Sequence, residues 1–358
     1  MNAASLLYGA AATWRRRWYS RDPERRRRLR QPVVSVGNLR VGGSGKTPVV
    51  ECIARMLVEQ GERPAVLSRG YGRRLVQDGV TVVSDGRTIL EGFDAAGDEP
   101  LMLARALPTV PVLVGADRYL SGRLAEEKLG VTVHLLDDGF QHLELARDVD
   151  LLVTGEDDLL DRPMPAGRLR EPLAAATEAH AALVTAGDAE TADRVGRALG
   201  LTKVFRVART IGAPRMVASG ETAVVPANEP VFAVAGIARP ERFFTDLASA
   251  GWRVVGSRTF RDHHTFTDRD MSRVSAAART AGATIVMTTE KDAVRLASAA
   301  PGSVPVAVVP LIVTVEPTAE FTRWLCERLA LSRTQNPEPS TRHPEPGRAR
   351  SRDHRSGR

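Results

Sequence analysis

Short apolar runs recur through most of the chain at 33–36, 65–67, 110–114, 131–136, 150–153 and 181–185. Each is followed by a turn, and most are separated by longer segments with apolar residues at helical spacing. Val49, Val50, Ile53, Met56 and Leu57 after the first run, and Leu101, Leu103, Ala104 and Leu107 before the third, are two such segments. Continuous rather than alternating apolar runs mark strands buried on both faces, and the βα repetition predicts a doubly wound, mainly parallel sheet. A hairpin excursion over 76–92 turns at Asp85-Gly86. A Gly, Pro, Ala and Asn-rich stretch at 211–230 predicts a boundary. Beyond it, strands at 231–237, 252–255, 285–287 and within 304–315, with a helix opening near Thr267 or Asp268, predict a smaller second α/β unit ending near Leu331.

The first apolar run breaks into VGGSGKT. Gly42, Gly43 and Gly45 permit turns in which successive N–H groups converge, and a helix starting at about Lys46 adds its N-terminal amides. Lys46 is placed for the β- and γ-phosphates and the Thr47 hydroxyl for Mg²⁺, while Pro48 fits the first helical turn. The P-loop pattern G-x-x-x-x-G-K-[ST] has glycine where this chain has Arg40. The fourth run ends in Asp137-Asp138, the Walker-B arrangement for holding the metal. A nucleotide-phosphate site is therefore expected.

Composition adds two points. Cys52 and Cys326, far apart among 358 residues, indicate a reduced compartment with neither a disulfide framework nor a Cys-rich metal site. The formal charge of +7 sits at the ends of the chain. Residues 15–30 carry nine arginines against two acids and residues 333–358 seven against three, leaving a net negative body. The opening apolar stretch is too short to span a bilayer and its charges follow rather than precede it, which argues against export. Leu6, Leu7, Tyr8, Trp14 and Trp18 beside the arginines suit an anionic membrane surface; the alternative is a solvated basic helix packing a few aromatics on the body. No nucleic-acid-binding motif accompanies the charge.

Other polar positions gather on loops. Arg69 and Tyr71 lie in SRGYGRR, where an open α/β sheet presents ligand contacts; a surface turn explains them equally well. Asp98 and Glu99 open a helix, where capping is the plain reading of either one. Arg118 follows the third run, Arg168, Arg170 and Glu171 lie in PAGRLREPL, and Asp262, His263 and His264 in FRDHHTF.

GNLRVGGSGKTP, SRGYGRR, GDEP, LLDDGFQH, PAGRLREPL, FRDHHTF and TEKDAVRL, in this order over 31–296, resemble the tetraacyldisaccharide 4′-kinase (lipid A 4′-kinase) family. The substitution at the first P-loop glycine belongs to that pattern. The resemblance implies a P-loop kinase using ATP and Mg²⁺ to phosphorylate the 4′-hydroxyl of a lipid A disaccharide 1-phosphate precursor. It implies a peripheral protein on the cytoplasmic face of the inner membrane, expected as a monomer. It further implies Asp98 as general base with His263 its partner, and Gly42, Gly43, Ser44, Gly45, Lys46 and Thr47 around the nucleotide. Thr47, Glu99, Asp137 and Asp138 would support the metal, and Arg69, Tyr71, Arg118, Gln141, Arg170 and Glu171 the acceptor and phosphates. Lys291 of TEKD is left without a role. The organisation expected is a basic amphipathic membrane-association segment (1–30), a P-loop catalytic domain (31–212), a linker (213–230), a smaller lid domain (231–331) and a disordered basic tail (332–358). A P-loop GTPase or metallochaperone-like NTPase is the competing class, although Val41 replaces that class's lysine and no N-K-x-D guanine motif is evident. A non-catalytic, membrane-binding ATPase-like adaptor is a further alternative.

Overall fold

The structure, a computed structural model, describes residues 3–43, 45–75, 78–296 and 303–335; Ser44 and the tail from 336 onward lie outside them. It opens with α1 (Ala3–Ser20), followed by the βα succession that the apolar runs predict. These elements are β1 (Val33–Gly37), α2 (Lys46–Glu59), β2 (Pro64–Ser68), β3 (Val80–Asp85), α3 (Phe93–Ala96), α4 (Asp98–Ala106), β4 (Pro111–Gly115) and α5 (Arg118–Leu129). Next come β5 (Val133–Asp137), β6 (Val149–Thr154), α6 (Glu156–Leu159), β7 (Ala181–Thr185), α7 (Ala189–Ala198) and β8 (Val204–Ile211). The remainder holds β9 (Arg215–Met216), β10 (Pro230–Ala235), α8 (Pro240–Ser249), β11 (Arg253–Thr259), α9 (Asp268–Thr280), β12 (Ile285–Thr289), α10 (Glu290–Leu296), β13 (Val306–Val309), β14 (Leu311–Glu316) and α11 (Thr318–Gln335).

Among the described residues two sheets form. The larger has nine strands in the order β14-β8-β7-β6-β1-β5-β2-β4-β3, parallel except for its two edge strands. β1, β2, β4, β5 and β6 are buried along their whole length, which is why they read as unbroken apolar runs. One face packs on α2, α4 and α11 through Ile53, Leu57, Leu103, Phe321 and Leu325, and the other on α5 through Ala125 and on α7 through Val195. Because β1 lies between β5 and β6, the chain leaves it toward α2 at the point where strand order reverses. A crevice opens there at the carboxyl ends of the strands, the usual ligand position in such sheets.

The smaller sheet runs β11-β10-β12-β13-β9, parallel except for the two-residue β9. Phe243 and Leu247 of α8 pack on one face, and Met271, Val274 and Ala278 of α9 on the other.

The boundaries differ from the sequence expectation at three places. The strands within 304–315 divide between the sheets: β13 completes the smaller one, whereas β14 pairs antiparallel with β8, Leu311 opposite Ile211. α11 stays with the larger sheet, Phe321 against Phe205 with ring centroids 4.9 Å apart and Arg333 donating to both oxygens of Glu62 at 2.9 and 2.8 Å. Residues 311–331 thus belong with the larger sheet, because the apolar face of α11 completes its core. Residues 332–335, expected as the start of the tail, continue α11, and β9 within the expected linker joins the smaller sheet.

α1 docks in an unusual way. Ser5, Gly9 and Arg16 are its buried residues, while Leu6, Leu7, Trp14 and Trp18 stay exposed. Its small residues let it lie close to the loop before β7; a Cβ added at Gly9 would sit 3.3 Å from Pro172.

Candidate active site

The turn from β1 to α2 has the backbone of a phosphate cradle. Gly42 and Gly45 have φ of 101° and 80°, left-handed values that side chains disfavour, and the space around both is open. Arg40 is buried and turned away from the turn, its guanidinium on Asp158 at 2.8 Å, so it stands where the general pattern has glycine without entering the cradle. The smaller unit comes close here, with Ala238 Cβ 3.2 Å from where a Cβ on Gly43 would be.

Lys46 lies on the floor of the crevice. Its ammonium donates to Asn38 Oδ1 at 3.0 Å and pairs with Asp138 at 3.4 Å. Arg170 binds Asp138 through both oxygens at 2.9 and 2.7 Å and also donates to Asn38 Oδ1. Burial works to raise the Asp138 pKa, but Arg170 and Lys46 outweigh it and hold the carboxyl at about 2. Asp137 is the opposite case. Burial, then the neighbouring charges of Glu99 and Asp138, push it up to about 7, and its Oδ1 is buried without a partner among the described residues. A divalent cation suits such a carboxylate, since it supplies the missing charge and ligand together. Thr47, buried at the first turn of α2, offers a hydroxyl. Among the described residues no three His, Cys, Asp or Glu side chains converge as a protein-only metal cage. One or two protein ligands completed by substrate phosphate oxygens is the ordinary arrangement for Mg²⁺.

The second centre lies between the two units. His263 Nδ1 is 2.8 Å from Asp98 Oδ2, joining a loop of the smaller unit to the first residue of α4. Asp98 is buried and His263 half-buried. His263 holds φ of 62°, a left-handed value uncommon for a residue with a side chain, with its own N–H donating to Asp262 Oδ1 at 3.0 Å. The hydrogen bond to Asp98 raises the His263 pKa above its ordinary 6.5, more than burial lowers it. Burial works to raise the Asp98 pKa, yet His263, Lys291 and Arg295 together keep it below the usual carboxylate value. An ionised carboxylate and an imidazole in contact, a short reach from a phosphate cradle, can take a proton from a hydroxyl as it attacks phosphorus.

A family model described as tetraacyldisaccharide-1-P 4′-kinase matches residues 1–330. The chain belongs to this family. Relatives named tetraacyldisaccharide 4′-kinase include one from Koribacter versatilis, 42% identical over 302 residues covering 83% of this chain and 88% of the relative. Another, from Anaeromyxobacter sp., is 43% identical over 312 residues, covering 83% and 82%. Among solved structures, the "apo" form of LpxK from Aquifex aeolicus in complex with ATP matches with a TM-score of 0.72 and 32% identity, over 91% of this chain and 97% of that one.

The structure gathers most of the residues the sequence singled out. Gly42, Gly43, Gly45, Lys46 and Thr47 form the turn and the start of α2, with Asp138 and Arg170 gathered at Lys46; Asp98 meets His263, and Glu99 lies near enough to act on the charge of Asp137. The ring of the exposed Tyr71 lies 5.8 Å from that of His263. Arg118 is buried at the start of α5, and burial together with the neighbouring charge of Arg69 lowers its pKa to about 10. Gln141 and Glu171 are differently engaged. Both Glu171 oxygens are taken by Arg16 of α1 at 2.6 and 2.8 Å, and the Gln141 amide donates to Asn38 O and to Glu171. They tie α1 to the floor of the crevice, which leaves Glu171 no free oxygen to offer an acceptor sugar. His264 turns away to Asp270 at 3.1 Å, which separates the two adjacent histidines. Asn38 and Arg295 were not singled out. Asn38 stands in GNLR directly after β1, where a polar side chain at a strand's carboxyl end was the available signal.

Proposed function

We propose that the protein transfers the γ-phosphoryl group of ATP to the 4′-hydroxyl of a tetraacyldisaccharide 1-phosphate in lipid A biosynthesis. The observation that carries this reading is the 2.8 Å contact of Asp98 with His263 beside the phosphate cradle of β1 and α2. The cradle amides and Lys46 bind the triphosphate, Lys46 and Arg170 leaving their hold on Asp138 as phosphate oxygens arrive. Thr47, Asp137, Asp138 and Glu99 are the residues that would hold Mg²⁺, which when bound neutralises charge on the β- and γ-phosphates. The acceptor oxygen attacks phosphorus, the bond from the γ-phosphorus to the bridging oxygen breaks, ADP leaves, and the hydroxyl proton passes to Asp98 oriented by His263. Arg69, Tyr71, Arg118 and Arg170 are the groups available to position the acceptor and its phosphate. Residues contributed by two sheets fit a smaller unit that closes over the bound substrates and excludes water.

The lipid reaches this site from a membrane surface. No helix among the described residues is long and apolar enough to cross a bilayer. α1 instead presents Leu6, Leu7, Trp14 and Trp18 beside Arg15 and Arg17, a combination suited to peripheral attachment at the anionic cytoplasmic face of the inner membrane.

The test is transfer of label from γ-labelled ATP to detergent-dispersed tetraacyldisaccharide 1-phosphate with Mg²⁺, for wild type, Lys46→Ala and Asp98→Ala. Labelled bisphosphorylated lipid from wild type alone is the expected result. Folded, ATP-binding wild type that labels no lipid would overturn the reading and favour a nucleotide hydrolase or an adaptor.

A further inference from the structure

Lys291 has no part in the mechanism above, yet more ionisable groups meet at its ammonium than at either catalytic residue. Nζ lies 3.1 Å from Glu99 Oε1, 3.3 Å from Asp262 Oδ1, 3.8 Å from Asp98 Oδ2 and 3.5 Å from His263 Nε2. Asp98 and Glu99 come from α4 of the larger unit; Asp262, His263 and Lys291 belong to the smaller one. The lysine is therefore the centre of a charged cluster spanning the interface.

Its base is rigid. Asp292, fully buried at the next position, accepts from Thr289 Oγ1 at 2.7 Å, from Gly236 N–H at 3.0 Å and from Arg295 at 2.8 Å. Arg295 also donates to Gly236 O at 3.0 Å and comes within 3.9 Å of Asp98. The first turn of α10 is thereby fixed to the end of β10, and Lys291 extends from it toward α4.

We propose that Lys291 is a positioning residue: it supplies the counter-charge that lets Asp98, Glu99 and Asp262 face one another when the smaller unit meets α4, and so holds His263 on Asp98. Without it, three carboxylates approach a half-buried interface with only Arg295 and His263 to balance them, and like charges at such distances repel. An ammonium can only donate, so its contact also leaves Nε2 of a neutral His263 as acceptor and puts the ring proton on Nδ1, where it donates to Asp98.

The experiment rests on the proposed kinase reaction only for its readout, and wild type is the control for that reaction. Lys291→Met, Asp262→Asn and the double variant are assayed for kcat and for KM toward ATP, with thermal melting as the measure of folding. Asp262 lies outside the reacting groups, and asparagine keeps the oxygen that accepts from His263 N–H. Lys291→Met is expected to lower kcat about a hundredfold with KM for ATP within about twofold. Removing one of the three carboxylates then restores part of the loss, so the double variant regains about tenfold or more. A lysine acting directly on the transferred phosphate would not be replaced by deleting a carboxylate. A Lys291→Met variant within about threefold of wild type, or a double variant no better than the single one, overturns the inference. Should Lys291→Met fail to fold, the double variant is expected to fold, and its failure to do so is equally decisive. A wild type that labels no lipid would count against the function, not against the role of Lys291.

Discussion

Arg16 and Glu171 form the pair on which the docking of α1 depends. Both side chains are about 6% exposed, and the guanidinium binds the carboxylate through both oxygens while resting 4.3 Å from the centre of the Phe140 ring. Replacing Arg16 by Met preserves bulk but leaves a buried carboxylate with the Gln141 amide, 3.1 Å away, as its remaining side-chain donor. Breaking one side of such a pair costs about 3–5 kcal/mol, and loss of the aromatic contact adds about 1 kcal/mol. Glu171→Gln is milder, about 2 kcal/mol, because Arg16 keeps the Phe140 carbonyl at 3.0 Å as an acceptor. With both changed no buried charge remains, so the double variant should lose only about 1–2 kcal/mol. Urea unfolding followed by circular dichroism, at constant m-value, measures all three. An Arg16→Met cost below about 1 kcal/mol, or additivity within about 0.5 kcal/mol, would refute the reasoning.

Three further outcomes are expected. The raised His263 pKa puts the acid limb of the rate profile above pH 6.5: below it the imidazole is charged, and Asp98, ionised but held low by that charge, is too weak a base to take the substrate proton. The stability dependence has the opposite sense, the pair's contribution being full below pH 6.5 and lost as pH rises through the raised value; pH-dependent kcat and melting check both. Gly37→Ala would put a methyl group 2.5 Å from Phe140 Cβ and 2.6 Å from its backbone N, costing about 1–3 kcal/mol on denaturation and disturbing Asp138 through the displaced turn. Leu7→Glu with Trp14→Glu should weaken cosedimentation with anionic vesicles about tenfold or more at an unchanged melting temperature, since both side chains are exposed; retained binding would remove α1 from the membrane reading.

The central strands were legible because burial on both faces writes them as uninterrupted apolar runs, and the cradle because left-handed backbone selects glycine. The pairing of Asp98 with His263 was reachable only through the resemblance, since nothing local joins residues 165 positions apart. The fate of β14 was not legible: LIVTV suits an edge strand of either sheet, and only the apolar face of α11 decides between them. Glu171 illustrates a different limit. A carboxylate in an arginine-rich loop reads as a ligand contact, whereas its partner, Arg16, sits inside a run of arginines where no single one stands out.

Ile211 and Leu311 face each other in one ladder, so the smaller unit leaves and rejoins the larger sheet at neighbouring positions on a two-stranded ribbon. Such a unit is leashed at both ends: any movement of it would be a rocking about the ribbon, which would keep His263 at a high effective concentration near Asp98. During synthesis the same arrangement postpones completion of the larger sheet, because β14 and α11 leave the ribosome after the whole inserted unit. The order of assembly thus runs from the middle of the nine-stranded sheet to the insertion, and only then to the edge that seals the core.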